Sequence, residues 1–229
     1  MKRITVVVLT VIMLAGFTAQ AAPGGQTITA VRTNEVPVVD GSGADKAWNS
    51  APRVVTHDNV ADIDISLQAV HTGTDIYFLV TFPDKDESRM HKSWVWDKEK
   101  KIYTQGNDRE DVFVFKWNMG SKRVDLSLTS DDMYEADIWY WKAVRTDPAG
   151  YADDKMHHII TENIKDAAKL TSKKGITRYL IRPGDVGTPA FKSTLQIEYA
   201  GDVVPRFSHV TPSGSAGDVK AKGQWKDGM

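Results

Sequence analysis

The sequence predicts an all-β fold: a single-domain antiparallel β-sandwich with long loops and a short helix. Three observations carry this. Short segments alternate apolar and polar residues with a period of two. Turns rich in Gly, Pro, Asn and Asp separate them. No internal repeat and no linker divides the chain, so one domain is the better count.

The elements follow in order. "DIDISLQAVH" puts Ile63, Ile65, Leu67 and Ala69 on one face, and "DIYFLVTF" follows the turn "HTGT", so Ala61 to Phe82 reads as a β-hairpin. "EDVFVFKWNM" is a third strand, with Phe113, Phe115 and Trp117 on one face and Met119 in the same parity. "RVDLSLTS" and "ADIWYWKAV" are two further strands. "ITRYLIRP" and "STLQIEYA" add strand character near the C-terminus. The short helix is expected in "TENIKDAAKLTSK", where alanine and lysine favour it. Pro183 to Pro189 and Pro205 to Gly217 read as long loops, where binding residues often sit.

The first residues suggest export. Lys2 and Arg3 precede an apolar run from Ile4 to Phe17, and Ala19 and Ala21 stand in the small-x-small arrangement that signal peptidase reads. That run falls short of the ~20 residues a transmembrane helix needs. Residues 1–21 are therefore expected to be a signal peptide, and residues 22–229 the exported, periplasmic domain. The chain has no cysteine, so its core alone must hold it. The same absence removes covalent c-type haem attachment, thiolate metal sites and cysteine nucleophiles. Lys and Arg number 29 against 30 Asp and Glu, mixed along the chain, with no basic stripe of the kind nucleic acid demands.

No catalytic constellation is legible. The sequence lacks G-x-S-x-G, H-E-x-x-H and a Gly-rich phosphate loop. Glu110 and Asp111 are adjacent on a predicted strand, so they diverge and cannot act as a glycosidase pair. The stretch "DIWYWKAVRTDPAGYADDK" is the most distinctive. Trp139 and Trp141 share one strand face, and Tyr140 and Lys142 the other, so one pair can line a cavity while the other meets solvent or the opposite sheet. Pro148 and Gly150 shape a tight turn. Asp153 and Asp154 suit backbone capping, with Ca²⁺ binding or hydrogen bonding around a bound group as the alternatives.

"VPVVDGSGADKAWNSAPRV", with Val39, Asp40, Gly41, Ala47, Trp48, Ala51 and Pro52, resembles the opening of carbohydrate-binding module family 9 sandwiches. In that reading Asp-Gly makes a turn, and Trp48 on a short helical segment plugs the sandwich. "VTFPDKDESR", "REDVFVFKWNM" and "DIWYWKAVRTDPAGYADD" resemble the related haem-binding domain of the ethylbenzene dehydrogenase gamma-subunit type, also described as cytochrome c-552/DMSO reductase-like. The resemblance covers most of residues 22–229.

It implies a periplasmic b-type cytochrome domain with non-covalent haem b. The implied iron ligands are a methionine and a lysine, and the implied electron partner is an iron–sulfur or molybdoenzyme subunit. The family continues beyond "SGSAGDVKAKGQWKDGM" into a further strand and a segment able to carry an axial ligand, so the domain is expected to be a shortened or C-terminally incomplete member. Met90, Met119 and Lys142 are the candidate iron ligands. Met90 and His91 lie in a loop followed by Trp94 and Trp96, which can wall a porphyrin, as can Trp139 and Trp141. Each has a plainer reading: Met119 as core filler, Lys142 as a snorkelling edge lysine. A lysine ligates only when burial has removed its proton. The rival function is sugar binding, with Trp94, Trp96 and Trp117 stacking on rings.

Overall fold

The computed structural model describes residues 2–11, 26–183 and 186–226. The predicted cleavage residues Ala19 and Ala21, and the expected start at Ala22, lie outside them. The strands in chain order are β1 (Lys2–Val11), β2 (Ala30–Arg32), β3 (Val54–Asp58), β4 (Ile63–His71), β5 (Asp75–Asp84), β6 (Trp94–Asp97), β7 (Ile102–Gln105), β8 (Val112–Asn118) and β9 (Tyr134–Lys142). Then come β10 (Asp153–Ile160), β11 (Ala168–Thr171), β12 (Thr177–Ile181), β13 (Gly187–Thr188), β14 (Phe191–Ser193), β15 (Val203–Val204), β16 (Phe207–His209), β17 (Ser213–Gly214) and β18 (Lys220–Lys226).

Two sheets form the body, and the all-β sandwich expected from the alternation is what the chain builds. The first runs β18-β1-β5-β4-β2, with β3 also on β4; the second runs β11-β12-β10-β9-β8. Every described pairing is antiparallel except β2 with β4. The β4–β5 hairpin turns where the sequence predicts, with Thr72 N donating to Asp75 O at 3.0 Å.

The inner faces meet in an aromatic core. Phe78, Phe82 and Val80 of the first sheet pack on Trp139, Trp141, Phe113, Phe115 and Trp117 of the second. Ring centroids stand 5.0 Å apart for Phe78–Phe115, 5.9 Å for Phe82–Phe113 and 5.0 Å for Trp117–Trp139. Such tilted and offset pairs add about 0.5–1.5 kcal/mol each beyond the area they bury. On the outer face of the first sheet, the single-turn 3-10 segment Lys46–Ser50 lays Trp48 over Val70, Tyr77 and Leu79. Gln68 Nε2 donates to Trp48 O and Ala51 O at 2.9 and 2.8 Å, which satisfies both ends of that buried turn.

Three expectations fail for identifiable reasons. "TENIKDAAKLTSK" forms no helix. Asp166 has φ of 65°, and Ala168 and Leu170, two apart, join β11 and pack on the outer face of the second sheet. Strand pairing there overrides alanine and lysine propensity. "RVDLSLTS" is a covering loop: Ser127 N and Oγ both donate to Asp125, a local bond that competes with a ladder. Its Val124 and Leu126 still pack on the sheet beneath. "STLQIEYA" leaves the ladder after Ser193, with Leu195, Ile197 and Tyr199 exposed.

Only glycine fits at position 223. The residue lies on β18 beneath the Trp141 indole, and a Cβ there would overlap the ring and could not be relieved by a flexible neighbour. Gly223→Ala is expected to destabilise the fold by about 1–3 kcal/mol. The check is the urea midpoint, with an unchanged slope indicating a pure stability effect.

Candidate functional site

The chemistry concentrates where β9 ends. Lys142, its last residue, is 1% exposed and faces away from the inter-sheet core. Its neighbour Trp141 faces into that core, so strand alternation alone forces the amine to the outer face. Asp153 pairs in register with Tyr140, which places its carboxylate on the face of Lys142. Lys142 Nζ donates to Asp153 Oδ2, and Lys155 Nζ donates to the same oxygen at 2.6 Å. The Lys142 amine also sits 4.5 Å from the Tyr140 ring centre and 5.0 Å from that of Phe191.

Burial, followed by the neighbouring Lys155 charge, pulls the Lys142 amine down from 10.5 to about 7, although Asp153 opposes the shift. Two cations share one buried carboxylate, and the more deeply buried one gives up its proton more readily. Asp153 itself, held by both lysines against its own burial, is lowered.

A second charged group adjoins it. The Glu110 side chain is fully buried and accepts from Val144 N at 2.7 Å, Arg145 N at 3.0 Å and Arg145 Nε. His91 Nδ1 lies 3.3 Å from Glu110 Oε1 without hydrogen-bond geometry. Burial and the Arg145 charge lower the His91 imidazole below its ordinary value. A recess of about 220 Å³ opens here, lined by Met90, His91, Ala143, Val144, Phe207 and His209 among others. Rings link it to the buried amine: His91 to Phe207 at 5.7 Å, Phe207 to Phe191 at 5.7 Å, then Phe191 to Lys142. Phe191 and Phe207 come from the β14–β16 pair, which covers this end of the sheet.

Met90, His91 and Lys142 are thus brought to one end of the second sheet, since Asp111 N donates to Ser88 O there and Val112 pairs with Lys142. Met119 is not. It lies seven residues beyond Val112, about 23 Å along the strand at ~3.3 Å per residue, and it is 54% exposed. One iron cannot take both Met119 and Lys142. Trp139 and Trp141 do not wall a cavity: they are 6% and 1% exposed within the inter-sheet core. Trp94 donates from Nε1 to Thr194 O at 2.8 Å, and Trp96 packs edge-on to Tyr103 and Tyr199. Both pin the 194–203 loop instead of facing the recess. Trp117, the third ring of the sugar-stacking alternative, stacks on Phe115 at 5.2 Å.

Glu110 and Asp111 diverge as expected from their adjacency: Asp111 accepts from Ser88 N and Trp225 Nε1 on the other side. Sequence reasoning missed Arg145, Phe191, Phe207 and His209. The last three sit in segments without alternation, and only "KAVR" after the aromatic strand hints at Arg145. Among the described residues no group of three His, Cys, Asp or Glu could hold a metal ion, and no helix is long and apolar enough to cross a membrane.

Fold and site together define a β-sandwich domain with a buried amine and a ring-lined recess on the outer face of one sheet. The family model for ethylbenzene dehydrogenase matches residues 27–229, and the chain belongs to that family, which includes a subunit of a molybdoenzyme complex. No curated protein and no solved structure matches the chain.

The Lys142 shift has a measurable signature. The unfolded chain holds this proton to about 10.5 and the folded chain only to about 7, so between those values the unfolded state binds more protons and stability rises with pH. Lys142→Met is expected to remove that rise, leaving Asp153 paired with Lys155. Urea unfolding of both proteins at pH 6, 8 and 10 checks it: the stability difference between them should move in favour of the wild type as pH increases.

Proposed function

We propose that this chain is an exported b-type haem protein that exchanges electrons with a partner subunit of a molybdoenzyme or respiratory complex. Lys142 carries the reading. A buried amine that loses its proton near neutral pH is what a lysine needs in order to ligate iron. Met90, on the wall of the adjoining recess, supplies the thioether of the methionine–lysine pair that the family implies. Membership of the ethylbenzene dehydrogenase family supports both.

The donor chemistry fits haem b. Lys142 and Met90 would hold the iron, Phe191 and Phe207 would pack on the macrocycle, and Arg89 and Arg206 at the recess would pair with propionates. Bound haem would supply one-electron transfer. The chain's own contribution is to keep the Lys142 amine dry and to exclude water with the two phenylalanines. The recess of about 220 Å³ is below the ~300–1,000 Å³ of ordinary ligand sites. Accommodating a porphyrin therefore requires the β14–β16 pair to give way.

Export has a structural consequence. Cleavage after Ala21 would remove β1, which lies between β5 and β18. The mature sheet must then close β5 onto β18 or take in another strand. N-terminal sequencing of protein recovered from the periplasm tests the cleavage directly.

The functional test is an absorption spectrum of the purified protein, oxidised and then reduced with dithionite. The expected result is a sharp Soret band, with resolved α and β bands on reduction. Met90→Ala and Lys142→Ala should each alter the reduced spectrum. A colourless protein that refuses added haemin would overturn the reading, and a spectrum indifferent to both substitutions would overturn the ligand pair.

A further inference from the structure

The far end of the second sheet carries a second donor cluster, unrelated to the recess. Met119 N donates to Glu135 O at 3.0 Å, which extends the β8–β9 ladder by one residue. Glu135 is in turn the register partner of His158 on β10. Residues paired across neighbouring strands project from the same face, so Met119, Glu135 and His158 stand in one row across three strands. Met133 lies two residues before Glu135, and all four line one cavity of about 490 Å³.

We propose that Met119, Met133, Glu135 and His158 form a copper(I) site. Met119 and Met133 are 54% and 59% exposed, so neither thioether is there to fill the core. His158 Nδ1 stands 4.0 Å from Glu135 Oε1, too far for a hydrogen bond. Two ligands each ~2.0–2.2 Å from a shared ion stand about 3.3–4 Å apart. Nδ1 is the imidazole nitrogen that faces the carboxylate, and Nε2 is buried.

The donor types select the metal. Two thioethers and an imidazole favour Cu(I) over Zn²⁺, Ca²⁺ or Mg²⁺, which prefer harder or more highly charged ligand sets. Lys122 lines the same cavity and offsets the Glu135 charge, which suits a monovalent ion better than a divalent one. The site is independent of Lys142 and Met90, which lie at the other end of β8 and β9, so it stands whether or not the chain binds haem.

The test is an anaerobic titration of the full chain with Cu(I) against a chromophoric Cu(I) chelator. The expected result is one equivalent bound, with Met119→Leu/Met133→Leu weakening it about 100-fold and His158→Asn about 10-fold or more, in the range that ligand-shell changes produce. Leucine keeps the shape of these exposed side chains, so far-ultraviolet circular dichroism should be unchanged. In protein carrying ¹³C-methyl methionine, Cu(I) should shift the Met119 and Met133 signals, each assigned by its loss in the matching leucine variant. Undiminished Cu(I) binding by the double leucine variant would overturn the proposal. So would shifts confined to other methionines, or failure to compete with the chelator. Zn²⁺ binding as tight as that of Cu(I) and indifferent to the leucines would reduce the cluster to a carboxylate–imidazole pair, and the copper assignment would be wrong.

Discussion

The carboxylate of Asp147 ties the two sheets together at the end that matters. It is 1% exposed and lies in the single-turn segment after β9. Its Oδ1 accepts from Trp141 Nε1 at 2.9 Å and from Gly223 N at 2.6 Å, and its Oδ2 accepts from Lys222 Nζ at 3.0 Å. One acidic group thus joins a core indole of the second sheet to the backbone of a strand in the first. Each bond to an ionised acceptor is worth more than a neutral one, and a buried carboxylate is tolerable only with such a full set. The close seat of the indole on Gly223 follows from this anchor. So does the path of the chain between Trp141 and Asp147: Thr146 Oγ1 accepts from Lys142 N at 3.0 Å, and Glu110 accepts from the amides of Val144 and Arg145.

The buried charges on the outer face are consequences of that geometry. With Trp141 fixed inward, Lys142 has no route to solvent and lies beneath Phe191. A fold selected for stability alone would place a leucine there, because a buried ion pair rarely recovers its desolvation cost. Glu110 with Arg145 is balanced, one charge against one. Asp153 faces two lysines, so burial, with the Lys155 charge added to it, brings the Lys142 amine down to about 7. A buried amine tuned to neutral pH, separated from a recess only by the Phe191 and Phe207 rings, is more often a feature of a site than of a scaffold.

Much of the fold was legible because its long strands alternate. β4, β5, β8 and β9 all have a clear inner face of Ile, Leu, Phe or Trp, and Trp48 announced its role as a plug. β10, a central strand of the second sheet, was not legible. Its Asp153 and Asp154 read as capping residues after a turn, and both faces of "DDKMHHII" carry polar groups, so no apolar alternation marks the strand. β11 hid in residues with helix propensity. The site was half visible. Lys142, Met90 and His91 drew attention by their aromatic neighbours, and they do share one end of the sheet. Trp139 and Trp141 could not be separated from them by sequence, since a tryptophan lining a cavity and one filling a core follow the same parity. What decides between those roles is whether the opposite sheet brings a ring or leaves a gap, and that is a tertiary fact.

Here the opposite sheet brings rings. Phe78 meets Phe115, Trp117 and Trp139 at 5.0, 5.6 and 6.3 Å, and Phe82 stacks on Phe113. Interiors packed to this density yield little to a guest, and opening one aromatic layer costs several kcal/mol before any ligand is held. A planar cofactor therefore has no place between the sheets. It can sit only where the sheets stop covering each other or where a separate, lightly paired element closes the outer face. The recess under the β14–β16 pair meets that condition with three residues per strand and no further ladder. The cavity at the ends of β8 and β9, lined by Met119 and Glu135, lies past the Trp117–Trp139 pair of the core. The aromatic interior, which contributes no ligand of its own, is what pushes the chemistry of this chain to its ends.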